Sequence, residues 1–449
     1  MEFQIIMLYL CYGHRGGIIN NEEGKRIFYS TESLIYKGVL DIHEKAKIYP
    51  KLVCIGIREL GEFFSVEEKR NLCENAIEIL RYDKSFYDIT ELFRCYISLL
   101  EKEKSVEVPF YKKQYEVFCD MLLEEDIDIQ FRPECFNSPK AKVYFVHEYL
   151  YTKRKEKALT QEKLSEEVCA VETYSRLERG ERVPSRRNLL QLSNKLDINW
   201  IYCRGEIEST DLEIYELRRK ARHANVEGRW QDSLEIIYQL EAYLDMDIIE
   251  NYQYIKYNEY VLKCRLGIMD KESVCKELWK LISMTIDVFA DNSRLVYYSQ
   301  IEMEMIAHLA QLYRLLGQYQ KGIDMIESIV KQMKHSQLEY ENQWNGFSFL
   351  LRVLASLYFR LGKYDISIHI SQYAKSVLLH QKSAANLPEV LDEIADGLEH
   401  KGERYSEKYM CLYRYVYYVA DFFYIKQIRD GAKHYYEENF ENNIEWYPT

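Results

Sequence analysis

The chain is poor in residues that interrupt regular structure, with seven prolines and eighteen glycines in 449 positions. So sparse a supply excludes collagen-like and low-complexity architectures and leaves few places where a helix must stop. The eleven cysteines are scattered singly, with no C-x-x-C and no histidine pair at metal-ligand spacing. That pattern excludes a structural zinc site and a disulfide framework, and predicts reduced thiols in a cytoplasmic protein with no cofactor or metal. Long apolar runs are missing too. Residues 5–12 are too few to span a bilayer and follow Glu2 rather than a basic segment, so a soluble protein is expected, with no membrane partner. Catalytic signatures are equally absent. The ten histidines are dispersed, no HExxH, GxSxG or dinucleotide fingerprint occurs, and Glu166 and Glu167 are adjacent and point to different faces. Gly13-His14-Arg15-Gly16-Gly17 has no GK[ST] after it and reads as a turn. An enzyme is not expected.

What is present is Leu, Ile, Tyr, Glu and Lys at helical spacing, which predicts an all-α chain. The forty tyrosines read as amphipathic filler between helices. The net charge of −12 is unevenly spread: residues 140–204 hold 14 Lys/Arg against 9 Asp/Glu, or +5, leaving −17 elsewhere. A basic island in an acidic chain is the footprint of a local module for double-stranded DNA.

The island centres on residues 159–184, LTQEKLSEEVCAVETYSRLERGERVP. Thr160 is an N-cap, and Leu164 and Val168 mark one apolar face. Residues 168–170 form a sharp turn. Tyr174 and Leu177 then fall on the buried side of a second short helix, whose outward side carries Glu172, Ser175, Arg176 and Arg179 and whose stop is Gly180. Leu159 to Leu164 (LTQEKL), Ser175 to Gly180 (SRLERG), and Pro184 with Leu189, Leu190 and Leu196 resemble the lambda-repressor/Cro-like, or XRE-type, helix-turn-helix family. The usual family turn contains a glycine and is about one residue longer than 168–170. The resemblance implies a five-helix bundle over 142–205, opening with a helix that has a basic end at Lys153-Arg154-Lys155.

It also implies roles. Gln161 opens the second helix, where the family's glutamine meets a phosphate or base edge. Val171, Glu172, Ser175 and Arg176 occupy the base-reading positions: Arg suits guanine O6/N7, Glu cytosine N4, Val a thymine methyl. Glu172 can equally pair with Arg176 one turn on. Thr173, Arg179, Arg182, Ser185, Arg186 and Arg187 fall where phosphate contacts occur, although Arg186-Arg187 also fits a solvated face.

Residues 1–132 read as an irregular helical, degenerate repeat-like domain, in which Cys54 stands seven before Gly61. Residues 133–141, with Pro133 and Pro139, read as a linker. From 211 to 449 the chain repeats. Gly228, Gly267, Gly317, Gly362 and Gly402 can each end a helix, and Ala221, Ala310, Ala355 and Ala395 each lie seven before such a glycine. The AQLYRLLGQY and ASLYFRLGKY units resemble tetratricopeptide repeats, which implies a solenoid with a concave face. Residues 405–428 read as one closing helix. Asn251, Asn258, His308, Gln311, Arg314 and Arg360 are polar near that concave face. They fit either a clamp for an extended peptide or ordinary helix-end polarity.

The expected architecture is therefore a Cro-like bundle embedded between TPR-like solenoid segments. The combination resembles the peptide-pheromone-responsive regulators of the Rgg/PlcR-like group, which implies a homodimer and a short signalling peptide or protein partner. Those regulators begin with their DNA-binding domain, whereas about 140 residues precede it here. The alternative is a protein-interaction scaffold whose helix-turn-helix does not bind DNA.

Overall fold

The computed structural model describes residues 2–37, 40, 42–134, 146–182, 184, 186–197, 207, 209, 212–286, 299–335, 346–403 and 407–439. These residues form twenty-one α-helices, two short stretches of π and 3-10 helix, and no strand. The all-α expectation holds, with one isolated bridge between Ser85 and Ser383. The helices fall into two compact units. Pro139–Gly346 is one, and Met1–Ser138 together with Phe347–Thr449 is the other. The sequence reading set 1–132 apart and ran a single solenoid from 211 to 449.

In the Pro139–Gly346 unit, antiparallel helix pairs follow the basic island. Leu212–Val226 pairs with Trp230–Tyr243, Ile249–Arg265 with Lys271–Ser283, and Gln300–Leu315 with Tyr319–His335. Gly228, Gly267 and Gly317 sit in the turns at φ of 76°, 71° and 73°, a conformation that disfavours a Cβ. Ala221 and Ala310 are buried, as the spacing predicts. A further regularity was not read from the sequence. Ser233, twelve residues after Ala221, donates its hydroxyl to the Ala221 carbonyl at 2.8 Å, and Ser367 does the same to Ala355 at 2.9 Å in the other unit. The small alanine lets the second helix of the pair come close enough for that bond.

In the other unit the Ser65 hydroxyl accepts from the Glu68 amide at 3.1 Å while Glu68 accepts from the Ser65 amide at 2.7 Å, a complete capping box for Val66–Asp83. Leu72, Ala76 and Ile77 on that helix face inward as expected. Cys54 is buried, but Gly61 opens a 3-10 turn rather than a left-handed one, so the repeat spacing does not extend to it. The closing helix is split. Glu407–Phe422 stops at Tyr424, which adopts φ 55°, and Lys426–Asn439 follows.

The first and last parts of the chain share one core. The Phe93, Phe118 and Phe422 rings meet at 5.4–5.9 Å between centroids. Buried Gln114 donates to the Tyr418 carbonyl at 3.0 Å, and the Arg81 Nε donates to that of Phe422 at 2.8 Å. Ala384 donates its amide to the Lys84 carbonyl at 2.7 Å, stitching the two loops beside the bridge. Tyr49, Tyr409 and Tyr418 are fully enclosed here, which accords with tyrosine as packing material.

Because Phe422 is fully buried at the meeting of these segments, Phe422→Ala should cost about 3–5 kcal/mol in denaturant unfolding. A loss well under that range would show that the shared aromatic core is not a main support of this unit.

Candidate nucleic-acid interface

The basic island folds as four described helices: Val146–Glu156, Gln161–Ser165, Val171–Glu178 and Arg186–Leu196. Residues 135–145 and 198–206 lie outside the described residues, and with them the expected fifth helix and most of the linker. Leu150, Leu164, Tyr174, Leu177, Leu192 and Leu196 form the core, with Leu159, Val168 and Cys169 packed on its edge. Thr160 caps as expected, accepting from the Lys163 amide at 3.2 Å. At the far end Gly180 adopts φ 72°, its amide donates to Leu177 O and the Glu181 amide reaches back to Arg176 O. These paired bonds end the helix in a Schellman motif.

The turn between the second and third helices differs from the sequence expectation. The second helix stops at Ser165, so the connection is 166–170 and is not shortened. Glu167 takes the left-handed conformation, φ 63°, that the family's glycine would hold without strain.

What aims the third helix is a buried polar cluster. Arg154 and Glu178 are 6% and 4% exposed, and they pair through two bonds, Nε to Oε1 at 2.5 Å and Nη2 to Oε2 at 3.0 Å. Arg154 also donates Nη1 to Leu159 O at 2.7 Å. The Glu178 carboxylate further accepts from the Tyr174 hydroxyl and from Gln161 Nε2, each at 2.6 Å. Burial acts to raise the Glu178 carboxyl, but the donors from Arg154, Tyr174 and Gln161 outweigh it and hold the group below its usual range. The same pair raises Arg154. Arg154 is thus no part of an exposed basic helix end, which corrects its reading from the sequence.

The predicted contact residues divide by this cluster. Gln161 is half-buried with its amide nitrogen bonded to Glu178, so its first role is to tie the second helix to the third. Glu172 and Arg176 are exposed, and among the described residues no ion pair joins them or engages either. Val171, Thr173 and Ser175 are half-exposed on the same helix. Arg179 is exposed but chelates Glu181, with Nε to Oε1 at 2.6 Å, and donates to Ser175 Oγ at 3.0 Å. Such an exposed pair is weak and yields readily to a competing anion. Arg182 is exposed. Ser185 lies outside the described residues, as do the side chains of Arg186 and Arg187, which begin the fourth helix.

Residues 150–202 match the family model described as helix-turn-helix. They form a helix-turn-helix domain. No curated relative matches the chain. Among solved structures it is similar to Bacillus thuringiensis PlcR in complex with a peptide and DNA, at 20% identity and a TM-score of 0.43, over 65% of this chain and 98% of that one. It is also similar to ComR from S. thermophilus in complex with DNA and its signalling peptide, at 17% identity and a TM-score of 0.39, over 64% and 97% of the two chains. A third is the Streptococcus dysgalactiae pheromone receptor Rgg2, at 15% identity and a TM-score of 0.24, over 59% and 100%.

C-terminal to the helix-turn-helix, the residues read as a peptide clamp are unequally placed. Asn251 is fully buried and donates to Asp245 O at 3.0 Å, so it braces a turn and presents nothing to a ligand. Asn258 is half-buried and donates to Tyr254 O at 2.8 Å within its own helix. His308 shares a 2.5 Å bond with the Tyr257 hydroxyl. Gln311 and Arg314 are half-exposed and bond each other at 3.2 Å. Arg360 is exposed in the other unit. No helix among the described residues is long and apolar enough to cross a membrane.

Two outcomes follow for the helix-turn-helix. Glu178→Gln leaves Arg154 buried without its counter-charge and should cost about 3–5 kcal/mol. In the wild type the carboxyl is depressed on folding, so its stabilisation is complete above about pH 4.3 and is lost as pH falls through the folded value. Unfolding of the domain followed by Tyr174 fluorescence against pH should show that acid loss, and Glu178→Gln should abolish it. Glu167→Gly should raise stability by about 1 kcal/mol by relieving the left-handed strain. A destabilised Gly variant would mean that the Glu167 side chain makes a compensating contact.

Proposed function

We propose that the chain is a cytoplasmic transcriptional regulator that binds double-stranded DNA sequence-specifically through the Val171–Glu178 helix. The observation that carries this reading is the pairing of a buried anchor with an unengaged face. Arg154 and Glu178 fix the helix from behind, while Glu172 and Arg176 project outward without intramolecular partners among the described residues. A fixed helix with free hydrogen-bonding termini is what major-groove readout needs, because ordering has been completed before DNA arrives. Arg176 would read guanine, and Glu172 would accept from cytosine. Arg179 and Arg182 would meet phosphates, with Thr173 and Ser175 as neutral neighbours. Ser185, Arg186 and Arg187 belong to the same proposal on sequence position.

Binding as a homodimer to an inverted repeat, with half-sites about 34–36 Å apart, is the natural extension. Control by a short signalling peptide or protein on the helical repeats completes the proposal, with Asn258, His308, Gln311 and Arg314 as its candidate contacts. The acidic remainder of the chain favours this arrangement, because it repels nonspecific nucleic acid from every surface but the intended one.

The test is duplex binding as a function of salt, with Arg176→Ala beside the wild type. Wild-type affinity should fall by orders of magnitude between about 50 and 200 mM salt if six or more phosphates are engaged. Arg176→Ala should lose about 1–3 kcal/mol of discrimination at one base pair while keeping the salt slope. A shallow slope, or unchanged selectivity in Arg176→Ala, would favour a scaffold in which the helix-turn-helix does not read DNA.

A further inference from the structure

Residues 127–134 leave the helix Val108–Leu123 and lead toward the helix-turn-helix, and they form no helix of their own. Their exposure alternates without a break. Ile127, Ile129, Phe131 and Pro133 are half-buried, while Asp128, Gln130, Arg132 and Glu134 are exposed. That is the period of an extended segment pressed down on one face. No sheet receives it, and among the described residues no main-chain to main-chain hydrogen bond engages 128–134. This strap is held by the side chains beneath it.

The seat is built by the helix Ile42–Glu59 and the start of Ile89–Lys102. Thr90 donates its hydroxyl to the Ile129 carbonyl at 3.3 Å, and Lys51 donates Nζ to the Arg132 carbonyl at 3.2 Å. The centre of the Phe131 ring lies 5.0 Å from Lys51 Nζ and 5.4 Å from the Arg58 guanidinium carbon, so two cations meet its π-face. Bonds to the ligand's main chain, with a place for alternate side chains, are how a peptide-binding surface holds an extended ligand. The present fit is incomplete. Lys51 is 2% exposed and pairs with Asp88 Oδ1 at 3.2 Å, but Asp88 Oδ2 is shut off from solvent with no hydrogen-bond partner. A bare buried acceptor beside the Lys51 anchor is costly, and an occupant with one more donor would remove that cost.

We propose that this seat is a binding groove for an extended peptide, filled in cis by the strap. A free peptide with apolar side chains at alternate positions, the third of them aromatic, displaces it. The aromatic side chain takes the place between Lys51 and Arg58, and flanking carbonyls take Thr90 and Lys51. A helical ligand fits worse, because its same-face residues recur every 3.6 positions rather than every two. A phosphate-rich ligand fits worse too, since Lys51 is already paired with Asp88, and Arg58 with Glu91 at 2.9 Å. The groove lies in the other compact unit from Asn258, His308, Gln311 and Arg314, so it is a peptide site independent of those residues. Displacement lengthens the connection to the helix-turn-helix by the eight residues 127–134. Fully extended, they span up to about 26–29 Å.

The test is fluorescence anisotropy of the full chain, without DNA, with a dye-labelled, amidated peptide DIDIQFRPE. Phe131→Ala in the protein loosens the strap and leaves the seat intact. That variant should bind the peptide at least tenfold tighter than the wild type, where the tethered strap competes at high effective concentration. Binding to the wild type should still saturate. Ile129→Ala gives an independent second vacancy. Adding Thr90→Val and Arg58→Gln to Phe131→Ala should weaken binding at least tenfold, with the helical circular dichroism unchanged. A peptide of the same composition with its apolar residues made consecutive should bind at least tenfold more weakly. Equal affinity for the wild type and both strap variants, or for the reordered peptide, would overturn the proposal. So would undiminished binding after Thr90→Val with Arg58→Gln, or no saturable binding to the wild type, which would make the strap a fixed seam. No nucleic acid enters the measurement, so its failure leaves the DNA-binding proposal standing and the reverse also holds.

Discussion

The Glu178 carboxylate is the constraint on which the helix-turn-helix of this protein depends. Its two oxygens take four donors from three side chains, drawn from the first, second and third helices of the helix-turn-helix. Each donor lies at hydrogen-bond distance, and the Arg154 partner is nearly as buried as Glu178 itself. Such a cluster contributes little net stability relative to a well-packed apolar core, but it has only one satisfied geometry. It therefore sets direction rather than strength. The helix that carries Glu172 and Arg176 on its outer face is held from its inner face by Tyr174, Leu177 and this carboxylate.

The repeats use a different device. The pairs turn at left-handed glycines, those at Gly228, Gly317 and Gly362 close on a small alanine, and in two of them a serine hydroxyl reaches across to the alanine carbonyl. These are local, additive contacts, as expected of a solenoid in which each pair buries itself against its neighbours. The unit built from both ends of the chain departs from that rule. There Phe93, Phe118 and Phe422, with Gln114 on Tyr418, join segments some three hundred residues apart in sequence. Closing so large a loop costs only modestly more than closing a short one, because the entropy grows with the logarithm of its length.

Charge is partitioned with the same clarity. The basic surplus sits in 140–204 and the acidic excess elsewhere. Part of that excess is concentrated on Leu387–His400, where burial, with Asp396 and Glu389 as like-charged neighbours, pushes Asp392 up to about 7. The two charge centres lie in different compact units, so each can be altered by mutation without rebuilding the other's core.

The sequence by itself determined the elements. Apolar periodicity, the Thr160 cap, the Gly180 stop and the alanine–glycine spacing are all written within one or two helical turns, so helix class, the helix-turn-helix and the repeat turns were legible. Tertiary structure decided which of these elements meet and which polar groups are spent inside. Arg154 looked like one lysine-flanked cation among three, and Asn251 looked like Asn258 on the same helix, because burial is a property of packing that a run of residues does not contain. The same holds for the joining of 1–138 to 347–449. Aromatic residues at helical spacing announce that a face will be covered, but hydrophobic attraction has no direction, and only the assembled fold fixes what covers it.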